Sequence, residues 1–142
     1  DADTNLIDSL IDRGQNLVIS NASFLYLDMP YAMRADEPGL PWAGYINTKS
    51  IYNFDPLGCW ALTAGQSSQV LGIQAQLWSE TVFTTDLMDY YTFPRLLAVA
   101  ERAWNSRPTL DRWPQFRQAL ITRELPHISK LGVKYRPDEL EK

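Results

Sequence analysis

Only two stretches of this sequence read as buried strands, and nothing else constrains the fold as much. Leu17-Val18-Ile19-Ser20 and Val70–Leu77 are short apolar runs carrying β-branched residues, the pattern of strands covered on both faces. The order along the chain reads helix, strand, long loop, strand, helix, helix. Two parallel strands with helical cover predict an α/β fold. Two strands cannot make a sheet that buries both faces, and the opening helix has no strand before it. The whole chain, 1–142, is therefore expected to be a single segment, the C-terminal piece of a larger (β/α) domain, with 110–142 as a C-terminal helix and tail.

The remaining elements follow from local signals. Leu6, Ile7, Leu10 and Ile11 recur at helical spacing over residues 4–13, and Gly14 suits the position just past a helix end. Phe24–Asp28 alternates, which predicts an extended stretch with Tyr26 and Asp28 on one side. Residues 31–47 form a Pro- and Gly-rich loop around Trp42, and 48–54 predict one or two helical turns capped by Thr48. A linker runs over 55–69, and Asp86–Tyr91 predicts a short helix. Pro94 opens another, on which Phe93, Leu96, Leu97, Ala100 and Trp104 make an apolar stripe expected to face a core. Pro108 stops it, residues 110–130 predict a last helix, and the final seven residues read as a frayed polar tail.

Composition excludes several functions. The chain has 142 residues and an apolar share of 45%, enough for a real core and against disorder. Its net charge is −4 with both signs interleaved. No Lys/Arg cluster is available to neutralise phosphates, so no nucleic-acid partner is expected. No apolar run approaches the roughly 20 residues that span a bilayer, so no membrane span is expected. The sequence opens at Asp1 without a signal-like segment, which fits a processed or trimmed start. Cys59 is the single cysteine and His127 the single histidine. An intrachain disulfide is impossible, and neither a metal nor another cofactor is expected. His127, in Arg123–Val133, reads as an ordinary packed or surface side chain.

Aromatic content is unusual at 12%, with five Trp and seven Tyr. Several of these lie beside Gly, Pro, Asp and Glu, where pocket rims are built. Tyr26 and Asp28 follow one strand, Trp42 sits in the next loop, and Trp78 and Glu80 follow the second strand. In a (β/α)₈ barrel all five would converge on the mouth at the strand C-termini. Indole walls, a phenol and two carboxylates suit a sugar, because indole stacks on apolar sugar faces and carboxylates hold hydroxyls. Plainer readings stand beside each: Tyr26 as a sheet aromatic, Asp28 as a turn residue, Trp42 as a loop pin, Trp78 as core and Glu80 as a helix cap. Trp60 and Trp113 read as structural, and Trp104 as core.

The segments Tyr26-Leu27-Asp28, Pro41–Tyr45, Tyr52–Pro56, Gly72–Glu80 and Phe93–Trp104 together resemble the C-terminal part of the catalytic domain of family 20 glycoside hydrolases, the β-N-acetylhexosaminidases. The bacterial chitobiase branch is the most similar, and the resemblance runs from about residue 14 to 135. It implies the last two β/α units of a (β/α)₈ TIM barrel plus a C-terminal helix. It implies that Tyr26 donates to the carbonyl oxygen of a substrate 2-acetamido group. Asp28 and Glu80 would hold sugar hydroxyls near O6 and O4, with Trp42 and Trp78 walling the pocket. Arg95 and Glu101 would be scaffold residues in ion pairs. The implied partner is an oligosaccharide ending in N-acetylhexosamine, and the implied compartment is the periplasm or the exterior.

The family's mechanism is substrate-assisted: the acetamide oxygen attacks C1 while a glutamic acid protonates the leaving group and a neighbouring aspartate orients the amide. That Asp-Glu pair, in its His-x-Gly-Gly-Asp-Glu context, is not in this sequence, nor is the family's sugar-binding arginine from an early strand. Asp36-Glu37 lies in a Pro/Gly loop and reads as unrelated to catalysis. The 142-residue chain alone is thus expected to be inactive, with the rest of the barrel or another copy of the chain covering its open strand edges. A non-catalytic carbohydrate-binding or interaction module is the alternative.

Overall fold

A computed structural model describes residues 2–60, 62–105, 112–136 and 140. Helix α1 (Ala2–Asp12) leads through Gly14 into strand β1 (Leu17–Ile19). Gly14 has φ +73°, and its amide and that of Gln15 close on Ile11 and Leu10 carbonyls, a left-handed helix end that favours glycine. A turn of helix α2 (Ala22–Leu25), a loop, α3 (Thr48–Asn53), a 3₁₀ turn (Gly58–Trp60) and α4 (Ala64–Ser67) come before strand β2 (Val70–Ile73). Then come α5 (Thr85–Thr92), α6 (Arg95–Trp104), α7 (Trp113–Ala119), a π-helical turn (Leu120–Glu124) and α8 (Leu125–Lys130).

β1 and β2 pair in parallel, with Leu17 opposite Val70 and Ile19 opposite Ile73. The ladder continues as single bonds: Gln74 N–H to Ile19 O at 2.8 Å, Gln76 N–H to Leu25 O at 3.0 Å, and Leu27 N–H to Gln76 O at 2.7 Å. An isolated parallel bridge joins Tyr26 to Gln76. The chain is thus α/β, with a two-stranded parallel sheet under helices. The core joins Ile19, Leu25, Leu27 and Met29 to Ile46, Ile51, Tyr52 and Phe54, closed by Ala98 and Val99 of α6. Among the described residues no helix is long and apolar enough to cross a membrane.

Several local expectations change. The extended stretch over 24–28 begins as helix, because the Asn21 side chain accepts from the Ser23 amide and starts a turn there. The cap of α3 is Asn47, not Thr48: Asn47 and Ser50 form a reciprocal capping box, while Thr48 is buried. The 55–69 linker carries its own short helix, closed by a second capping box between Thr63 and Gln66. Within the expected last helix, the described residues give α7 from Trp113. Pro108 and residues 110 and 111 lie outside the described residues. The strands are covered on one side only: Val18 is 53% and Leu71 67% exposed.

The largest correction concerns α6. Its buried residues are Arg95, Ala98, Val99 and Arg102, at i, i+3, i+4 and i+7. The expected apolar stripe is split: Leu97 packs against the Leu120, Leu125 and Leu140 cluster, while Leu96 is exposed and Trp104 is at 88% exposure. The two arginines explain the split. Arg95 finds backbone acceptors inside the fold, and the Arg102 guanidinium lies over the Tyr52 ring at 4.6 Å with Glu101 at 3.6 Å. Arg95 is satisfied and Arg102 is stacked, although none of the three Arg102 guanidinium nitrogens has a hydrogen-bond partner among the described residues. The polar tail is not wholly frayed either. Arg136 and Leu140 are buried, Leu140 against Leu120 and Leu125.

Candidate functional site

The end of the β1 segment, the loop before α3 and the end of the β2 segment meet around one cleft. It has a volume of about 460 Å³ and is lined by Tyr26, Asp28, Leu40, Trp42, Trp78, Glu80 and Thr81. All five residues singled out from the sequence are therefore brought together. The Tyr26 ring stands edge-on to Trp42 at 5.8 Å and to Trp78 at 5.9 Å, the geometry that ring quadrupoles favour. Asp28 is 7% exposed, and its Oδ1 accepts from the Trp78 backbone amide at 3.4 Å. That bond ties the two strand ends together. Trp42, Trp78 and Glu80 are exposed, so the cleft is rimmed by reachable indoles and one reachable carboxylate.

Arg95 braces the backbone that carries the cleft. Fully buried, it donates from Nη1 to Met29 O at 2.7 Å and Ile46 O at 3.0 Å, and from Nη2 to the carbonyls of Leu27 and Tyr91. Its guanidinium lies 3.7 Å from the Tyr31 ring centroid. Two of those carbonyls flank Asp28, and a third belongs to the far end of the Trp42 loop. One planar fork thus holds the backbone on both sides of the cleft. Sequence reasoning placed Arg95 in an ion pair. An arginine amid apolar residues at a helix start was the only signal of a buried role. Glu101, the other expected scaffold residue, does lie in an ion pair, 3.6 Å from Arg102 Nη2, and accepts from Asn105 at 3.1 Å.

Thr81 is fixed by a 3.0 Å hydrogen bond with the Tyr91 hydroxyl. Burial is the main cause that pushes the Tyr91 phenol above its ordinary pKa, so it stays neutral there. Asp36 and Glu37 do not line the cleft. Asp36 pairs with Arg34 at 2.9 Å on the surface, and that hydrogen bond holds its carboxyl below the usual range. Glu37 points inward to Arg136 at 3.0 Å. His127 is exposed on α8, and among the described residues no group of three or more His, Cys, Asp and Glu could hold a metal. A second cleft of about 450 Å³, between α1 and β1, is lined by apolar and small polar residues and carries no ionisable side chain.

Gly39 sets how closely the Trp42 loop approaches Asp28. Its φ is +112°, and a Cβ there would sit 2.7 Å from Asp28 O and 3.0 Å from Pro30 N. Both neighbours are backbone and cannot give way easily. Gly39→Ala is expected to cost about 1–3 kcal/mol through overpacking and a disfavoured φ, read as a lowered urea midpoint. An unchanged midpoint would show that the loop does not press on the strand end.

Such a cleft can stack a sugar face on indole, accept from hydroxyls at Asp28 and Glu80, and offer a phenolic donor from Tyr26. The chain as a whole is similar to known proteins. The family model described as glycosyl hydrolase family 20, catalytic domain, matches residues 1–107. A β-hexosaminidase of Vibrio vulnificus is 28% identical, across 90% of this chain and 20% of its own length. The solved exo-β-N-acetylglucosaminidase of family 20 from Vibrio harveyi, in complex with N-acetylglucosamine, superposes with a TM-score of 0.81 at 30% identity, over 94% of this chain and 21% of that one. The family 20 β-N-acetylhexosaminidase of Streptomyces coelicolor A3(2) gives 0.84 at 31%, over 99% and 27%. The chain thus spans between a fifth and a little over a quarter of the proteins it matches. With the family model matching three-quarters of its residues and the cleft assembled, the chain belongs to glycosyl hydrolase family 20.

Proposed function

We propose that this chain is the C-terminal part of a (β/α)₈ catalytic domain, and that the longer protein is an exo-acting β-N-acetylhexosaminidase. Its substrate would be an oligosaccharide ending in GlcNAc or GalNAc. The observation that carries this is the Tyr26 phenol set between two indoles, with Asp28 and Glu80 on the same cleft. The N-acetylglucosamine held by the Vibrio harveyi relative supports the substrate class.

In this reading the substrate's acetamide oxygen attacks C1 and forms an oxazolinium ion, which water then opens with retention. Tyr26 donates to that oxygen, orienting it and balancing its developing charge. Asp28 and Glu80 accept from hydroxyls of the terminal sugar. Trp42 and Trp78 enclose the acetamido methyl and stack on the ring. The leaving group takes its proton from a glutamic acid outside this chain, beside the aspartate that orients the amide. The rest of the barrel, or another copy, covers Val18, Leu71 and the Trp104 face of α6. Export to the periplasm or beyond fits such a substrate.

A non-catalytic carbohydrate-binding or interaction module is the second reading: among the described residues the cleft is lined by Asp28 and Glu80 but by no adjacent Asp-Glu pair. Release of nitrophenol from a GlcNAc nitrophenyl glycoside separates the two. The longer protein is expected to release it, and the purified 142-residue chain to release none. Sugar binding without release by the longer protein would select the module. Release by the short chain, free of contaminating enzyme, would refute its dependence on an external acid.

A further inference from the structure

We propose that the segment ending at Arg136 is a clamp that positions the Trp42 loop, making Arg136 and Glu37 positioning residues for the cleft. The inference rests on the reading of that cleft given above. Arg136 lies beyond the residues that the family model matches, yet it is buried in contact with the site loop. Its Nη2 pairs with Glu37 Oε2 at 3.0 Å, the two side chains being 4% and 2% exposed. Glu37 is held from two further sides: the Tyr90 hydroxyl donates to its Oε1 at 3.0 Å and the Tyr31 amide at 3.4 Å. The Arg136 guanidinium lies 4.7 Å from the Tyr31 ring centroid.

The segment is also fastened by backbone. Arg136 N–H donates to Phe93 O at 3.1 Å, and Lys134 N–H donates to Asp89 Oδ2 at 2.9 Å. One end of the clamp is therefore fixed on α5 and the turn into α6. Its other end grips Glu37, and the chain then runs two residues to Gly39. Gly39 passes so close to the Asp28 carbonyl that a Cβ there would lie 2.7 Å from it, and Leu40 and Trp42 follow as cleft lining. A buried, multiply bonded carboxylate is a rigid anchor, whereas Leu40 and Trp42 just after it are exposed. Releasing Glu37 should free the cleft wall while leaving the α3–α6 core in place.

Two measurements test this. In the 142-residue chain, amide exchange of residues 38–45 should rise in Arg136→Met, and by a smaller amount in Tyr90→Phe, while α3 and α6 exchange as in the wild type. In the longer protein the same variants should raise KM for a GlcNAc nitrophenyl glycoside, about tenfold for Arg136→Met, with kcat changed far less, since a misplaced wall costs binding and orientation. Arg136→Lys, which keeps a cation, should recover part of the KM. Tyr90→Phe removes a single hydroxyl and keeps the test open if Arg136→Met fails to fold. Exchange that rises uniformly, or that stays flat over 38–45, overturns the clamp, as does an unchanged KM in folded variants. A longer wild-type protein without hydrolysis would instead sink the proposed activity, and the exchange result would still decide the clamp.

Discussion

Arg95→Met should leave a chain that no longer holds its fold. The guanidinium is fully buried and donates to the carbonyls of Leu27, Met29, Ile46 and Tyr91. Methionine fills a similar volume but donates nothing. Each buried acceptor stripped of its donor costs about 1–3 kcal/mol. Several together rival the whole stability of a small domain, about 5–15 kcal/mol. The stacking on Tyr31 is lost as well. Near-UV circular dichroism and a urea titration would read the result as lost tertiary signal and an early or absent transition. Arg95→Lys should fall between, because a single ammonium cannot point at carbonyls on three separate segments. A urea midpoint for Arg95→Met equal to that of the wild type would mean that water, not Arg95, satisfies those carbonyls.

The second large effect is on rate rather than fold. Tyr26→Phe in the longer protein keeps the ring, and with it the edge contacts to Trp42 and Trp78. Stability should therefore change little. If the hydroxyl donates to an oxygen whose charge develops during attack on C1, its loss should lower kcat by roughly 10²–10³, the usual cost of one such donor. KM should move far less, since the bond is strongest in the transition state. Steady-state kinetics on a GlcNAc nitrophenyl glycoside checks both numbers together. An unchanged kcat would remove Tyr26 from the chemistry and leave it as a wall of the cleft.

These two residues mark the boundary of what could be read in advance. Tyr26, Asp28, Trp42, Trp78 and Glu80 were legible because each follows a strand or sits in a loop, and parallel strands deliver their C-terminal ends to one side. The strands themselves were legible from short β-branched runs, and α1 from its spacing and Gly14. Where expectation failed locally, a side chain competed for backbone: Asn21 started a helical turn that runs into the expected extended stretch, and Asn47 took the cap from Thr48.

By itself the sequence determined the kind of elements, their order and the residue types that reach the cleft, since propensity, caps and alternation act between near neighbours along the chain. Only the tertiary structure decided which face of α6 turns inward, that Arg95 gathers carbonyls from three segments, and that Arg136 meets Glu37. An arginine becomes an inner residue only if acceptors or aromatic rings from distant segments surround it. No local pattern encodes those partners. The apolar stripe ending at Trp104 looked like a core face because periodicity reports that a face is apolar, and not which neighbour covers it.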